Sequence, residues 1–238
     1  MTRRLPWALA LTSITFGAIA ADLQPRDIDG NGTVDAWYDA GRDLSWLANA
    51  NAAAGSPFDN GSQGNDGRMT LNAALSWAAW LNVGGVTGWR LPGLQDLGTP
   101  GCNGAYGGTD CGYNVDTASS EMAHVFHDIL GNLSQYDTNG QLRPGTSGVD
   151  FGLVNSGPFV NLKNDAYWLG TPYATPITPS GWSFFTVNGR QMPFAHSAEM
   201  YAWAVHAGDV APVPEPATAL MLAGGLAALA WRRRSAGV

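Results

Sequence analysis

An uncharged run from Ala217 to Trp231, entered through Val213-Pro214-Glu215-Pro216 and closed by Arg232-Arg233-Arg234, sets the terms on which the rest of the chain can fold. Thr218 carries its only hydroxyl, so the run prefers lipid to water. Its fifteen residues, at about 1.5 Å each, make a helix of about 22 Å against a hydrocarbon core about 30 Å thick. Such a span is marginal unless its flanks snorkel, and the three arginines hold its end on the cytoplasmic side. Pro214 and Pro216 cannot lie inside a helix, so an extended segment separates the span from whatever folds upstream.

The other end carries a matching signal. Met1 to Ala21 has a basic start (Arg3, Arg4), an apolar stretch from Leu5 to Ile19 and a small-residue exit at Ala18-Ile19-Ala20. That is the pattern of a secretory signal peptide over residues 1–21, leaving an exported domain over 22–211 and a tail over 212–238. In the tail, Pro-Glu-Pro motif, apolar helix and basic end stand in the order of the PEP-CTERM sorting signal of exopolysaccharide-producing Gram-negative bacteria, which this segment resembles. The resemblance implies an exosortase-type processing enzyme as partner and transient inner-membrane insertion through the C-terminal helix. It also implies a final place on the cell surface or in the extracellular matrix. A permanent tail anchor is the competing reading and would need no Pro-Glu-Pro.

Charge narrows the partners of the exported part. The chain has 12 basic and 19 acidic residues. Losing five arginines and Glu215 with the two signals leaves 7 basic against 18 acidic, a net charge of −11. A surface this acidic repels phosphate backbones, so nucleic acid is excluded as a partner.

The exported domain opens on Asp27-Ile28-Asp29-Gly30-Asn31-Gly32-Thr33-Val34-Asp35. Asp27, Asp29 and Asn31 alternate, Gly32 allows a sharp turn and Asp35 takes the ninth position. With the Thr33 carbonyl, this matches the first nine positions of an EF-hand-type calcium loop. Tyr38 replaces the twelfth-position carboxylate, with Asp39 beside it, so calcium is expected to bind weakly. A surface Asx/Gly turn is the competing reading.

Further along, Ala36–Asp39 and Asp43–Leu47 read as a strand hairpin. Thr70 caps a helix with Leu71, Ala74, Leu75, Ala78 and Leu81 on its apolar face, widened by Trp77 and Trp80 and stopped by Gly84-Gly85. Gly88–Pro92 is strand-like, and Gly93 to Leu97 is expected to form a short helix. Cys102 and Cys111, the only cysteines, bracket eight residues, and in an oxidising compartment so close a pair implies a disulfide. Ser119 or Ser120 caps a second helix over Glu121–Leu130. Its Glu121, His124 and His127 lack the second ligand set of a metal site, so helix-exposed or hydrogen-bonded histidines are expected. Ala166–Gly170 reads as a buried strand. Trp182–Val187 and Gln191–Phe194 flank Asn188-Gly189, a two-residue hairpin signal, and Tyr201–His206 reads as the last strand.

Taken in order, Asp43-Leu44-Ser45-Trp46-Leu47, the tryptophan-bearing helix, Gly88-Trp89-Arg90-Leu91-Pro92, Ser119-Ser120-Glu121-Met122, Tyr167-Trp168-Leu169-Gly170-Thr171 and Tyr201-Ala202-Trp203-Ala204-Val205 resemble the Lcl C-terminal domain family over about residues 36–209. The resemblance implies an α+β class. In detail it implies a small irregular domain, related to C-type lectins and the formylglycine-generating enzyme, with two main helices and short antiparallel strands. It also implies no enzymatic activity. The sulfated glycan bound by the family's founding adhesin goes with a basic surface and is not carried over to this acidic domain.

The sequence therefore points to an exported, non-enzymatic protein that binds exopolysaccharide or another glycan, with Tyr173 and Trp182, beside a proline-rich loop, as candidate stacking rings. It carries no recognisable nucleophile set, nucleotide loop or complete zinc motif, so no cofactor beyond weak calcium is expected. A polysaccharide-acting enzyme with an acidic pair and a purely structural matrix component are the alternatives.

Overall fold

The computed structural model describes residues 23–97, 102–144, 151–173 and 179–210. The signal peptide and the sorting segment, with Val213, Pro214, Glu215, Pro216 and Arg232–Arg234, lie outside them. Among the described residues no helix is long and apolar enough to cross a membrane.

Among the described residues, two antiparallel-rich sheets and two short helices make up an α+β body. The first sheet has the order β1-β2-β3-β10, with β1 at Leu23–Arg26, β2 at Ala36–Asp39, β3 at Leu44–Leu47 and β10 at Val205–Ala207. The second has the order β4-β9-β6-β7-β8-β5. Its strands are β4 (Arg68–Met69), β5 (Gly112–Tyr113), β6 (Ala166–Pro172), β7 (Ser180–Phe185), β8 (Arg190–Ala195) and β9 (Met200–Tyr201). Helix α1 covers Leu71–Trp80, and α2 (Glu121–Ala123) continues as a π-helical turn over His124–Ile129.

The expected hairpin forms from β2 and β3, which pair in antiparallel register from Ala36↔Leu47 to Asp39↔Leu44. Pairing with β10 covers the other side of β3 and completes the four strands. The expected last strand over Tyr201–His206 is instead split between the two sheets: β9 belongs to one and β10 to the other. The cause is Trp203, fully buried between them, whose indole donates to the Leu47 carbonyl at 2.7 Å. Its ring packs against Trp46 at 4.6 Å, Phe159 at 4.8 Å and Tyr167 at 6.2 Å. The core thus lies at the seam, and a strand cannot run straight through it.

Other expectations fail locally. Gly93–Leu97 is not a helix; Leu94 makes a β-bridge to Ser120, and Gln95 N–H donates to the Ser119 carbonyl at 2.7 Å. Asn188-Gly189 does not form a two-residue turn. Phe185 pairs with Arg190, leaving a four-residue loop closed by Gly189 N–H to the Phe185 carbonyl at 2.8 Å, with Gly189 at φ +68. On α1, Leu71, Ala74, Trp77 and Ala78 are buried as expected, but Leu75 and Trp80 point outward, 40% and 60% exposed. Ser120 supplies the cap of the second helix, accepting from Ala123 N–H at 3.2 Å.

Candidate functional site

The acidic loop is the connection between β1 and β2, closed by Asp35 N–H to the Arg26 carbonyl at 2.8 Å. Short side chains organise it. Asp27 accepts Gly30 and Asn31 N–H on Oδ1 (2.8 and 3.1 Å) and Gly32 N–H on Oδ2 (2.8 Å). Asp29 accepts from Asn31, Asn31 Oδ1 accepts from Thr33 N–H at 2.7 Å, and Asp35 accepts Ile28 N–H at 2.8 Å. Carboxylate oxygens of Asp27, Asp29 and Asp35 lie within 4.8 Å of one another. Three anions so close repel, and a hard divalent cation among them would relieve that repulsion. Asp39 cannot stand in for the missing twelfth ligand. It is 1% exposed, with Oδ1 occupied by Gly41 and Arg42 N–H groups and Oδ2 by His124.

His124 sits in a clasp between two carboxylates, Nε2 at 2.9 Å from Asp39 and Nδ1 at 2.8 Å from Asp128. The hydrogen bond to Asp39, then that to Asp128, raises its pKa above the ordinary value against the effect of burial. His127 is the reverse case: burial lowers its pKa, although its ring bonds the Asn132 carbonyl at 2.9 Å. Both histidines are hydrogen-bonded, one of the two arrangements the sequence led one to expect.

A cleft of about 510 Å³ opens between α1, the segment Trp89–Gly93 and the end of β6. Leu75 and Ala79 line one wall, and Leu91 and Pro172 the other. A smaller depression of about 270 Å³, lined by Arg42, Gln95 and Ser119, adjoins it at Arg90 and Gly93. At this junction Glu121 accepts both Arg90 Nη groups at 2.7 Å and Gly93 N–H at 2.6 Å. This bidentate pair, with the ends 31 residues apart in sequence, had no signal in the sequence beyond the two charges. Arg90 is further fixed by backbone pairing with Val205 in both directions, at 2.9 and 2.8 Å.

The candidate stacking rings do not survive as a pair. Trp182 is 1% exposed because β7 lies between β6 and β8, and its residues Gly181–Phe184 are all buried. Tyr173 is half-buried and stands edge-on to Trp182 at 5.1 Å. No pyranose can reach the Trp182 face. Exposed aromatic rings among the described residues include Trp80, Tyr106 and Phe194. Cys102 and Cys111 are joined as expected, with Cα atoms 5.3 Å apart.

Residues 212–234 match the PEP-CTERM protein-sorting motif. The chain therefore carries the signal of an exosortase substrate, exported through the membrane to the surface or beyond. No curated protein and no solved structure matches it. The likeness to the Lcl C-terminal domain gains no support from these comparisons, and the architecture itself establishes the α+β class.

Proposed function

We propose that the mature chain is a non-enzymatic protein of the cell surface or matrix of a Gram-negative bacterium. It enters by a cleaved signal peptide over residues 1–21, pauses in the inner membrane through its C-terminal helix, and then binds exopolysaccharide or another glycan. Its fold is of the irregular C-type-lectin-like kind implied by the Lcl motifs. The sorting motif at 212–234 carries the reading, since it delivers an acidic, aromatic-rich domain to the outside of the cell.

The cleft supports binding over catalysis. The carboxylate at its edge, Glu121, has both oxygens engaged by Arg90 and Gly93 N–H and so offers no free oxygen to a glycosidic bond. The processed protein, passed over immobilised host exopolysaccharide, should be retained while the polysaccharide keeps its length. Shortening of the chains would mean a polysaccharide-acting enzyme; a failure to be retained would leave the structural role.

The loop over Asp27, Asp29, Asn31, Thr33 and Asp35 supports weak calcium binding, at about 10⁻⁴–10⁻³ M, as in extracellular modules. At a concentration ten times the dissociation constant, calcium would add about 1.4 kcal/mol to stability. Calorimetry and melting curves with millimolar calcium should show both heat and a rise in Tm, and Asp27→Ala should remove them. Silence in the wild type would reduce the loop to a turn.

A further inference from the structure

We infer that the outer face of α1 is the binding site for a neutral saccharide chain, with Trp80 as the ring on which a pyranose stacks. The inference rests on the glycan-binding reading above and gives it a place in the fold.

Helix α1, Leu-Asn-Ala-Ala-Leu-Ser-Trp-Ala-Ala-Trp, contains no charged residue. Its inner face is spent on the core through Leu71, Ala74, Trp77 and Ala78. The outer face presents Asn72, Leu75, Ser76, Ala79 and Trp80, all exposed. A surface helix ordinarily turns charged and polar residues outward, so an outward leucine at 40% and tryptophan at 60% exposure mark a face built to be covered. Phe58, partly buried against the core, backs the Trp80 ring at 5.7 Å and limits how far it can swing. On the opposite flank, Leu75 and Ala79 lead into the cleft of about 510 Å³, where the Arg90–Glu121 pair forms the polar end. On the outer face, Asn72 and Ser76 lie between the ring and the cleft wall at Leu75 and Ala79, a ridge no wider than the helix itself, about 10–12 Å. An oligosaccharide of a few units spans that width.

The composition of the face selects the ligand. A sugar ring offers an apolar C–H face rimmed by uncharged hydroxyls, and this surface interleaves apolar groups with one amide and one hydroxyl and no ion. An anionic polymer would find no cation on the helix and a domain of net negative charge around it. An anionic lipid surface is disfavoured by the same charge and by the lack of basic residues on the helix.

The test is affinity electrophoresis of the processed protein through gels containing dextran, a β-1,3-glucan, a β-1,4-mannan or the host's own exopolysaccharide. Wild type should be retarded by at least one of them, and the bound polymer should shield part of the indole fluorescence from iodide. Trp80→Ala should weaken retardation about tenfold and abolish the shielding with Tm unchanged; Leu75→Gln should weaken it less. Retardation that survives both substitutions overturns this site and leaves the glycan reading standing. No retardation of wild type in any gel overturns both. A concentration-dependent dimer that dissolves on Trp80→Ala, without retardation, assigns the face to a second copy and also overturns the proposal.

Discussion

Trp80 and Trp182 show how far the same side chain differs in consequence with where its ring lies. Trp182 is enclosed in the six-stranded sheet, with Phe184 two residues on and equally buried. Removing it leaves a cavity that strand pairing on both sides prevents from collapsing. Trp182→Ala should cost about 3–5 kcal/mol in urea unfolding, the usual range for a fully buried large aromatic. Trp80 has most of its surface in water already, so Trp80→Ala should stay within about 0.5 kcal/mol of wild type. Equal losses at the two positions would mean that the outer face of α1 is part of the core after all.

The clasp around His124 ties an element of one layer to an element of another. Asp39 ends β2, Asp128 lies one turn along the helix from His124, and the charge of Arg42, from the β2–β3 turn, acts against the rise in the histidine's pKa. Because the two carboxylates raise the folded pKa of His124, the clasp stabilises fully below the unfolded value of about 6.5. That contribution is lost as pH rises through the folded value. His124→Gln should therefore lose more stability at about pH 5.5 than at about pH 8.5, measured as the difference from wild type so that His127, whose burial acts in the opposite sense, cancels. A loss independent of pH would reduce the clasp to neutral hydrogen bonds. What could be read at this scale was whatever repeats locally. The Ala36–Leu47 hairpin, the spacing of Leu71, Ala74 and Ala78 and a serine cap, at Ser119 or Ser120, all stood in the sequence. Hidden features depended on neighbours distant in the chain. An uncharged helix gives no sign of which tryptophan faces water. A strand covered by neighbours, such as Gly181–Phe184, loses its alternation, and the break between β9 and β10 is imposed by Trp203 at the seam.

At the scale of the whole molecule, the two ends of the exported body are pinned to the same sheet. Arg26, at the end of β1, donates from Nε and Nη2 to the two carboxylate oxygens of Asp209 at 2.6 and 2.8 Å. Gly208 N–H donates to the Asp43 carbonyl at 2.7 Å, and Val210, 3% exposed, donates to Ser45 Oγ at 3.3 Å. The sorting motif begins at 212, so Pro214 lies at most about 14 Å of extended chain beyond Val210. A cut near Pro214 would leave every one of these contacts in place while removing the apolar run and its three arginines. Mass spectrometry of the protein from its native host should then find the mature chain ending near Pro214, with a melting temperature equal to that of the unprocessed form. Glu215→Ala, which breaks the Pro-Glu-Pro motif without touching the body, should hold the chain in the membrane fraction with Arg234 intact. If the wild type itself is recovered from the membrane with Arg234 intact, the segment is a permanent anchor, and the protein does its work facing outward from the membrane instead of in the matrix.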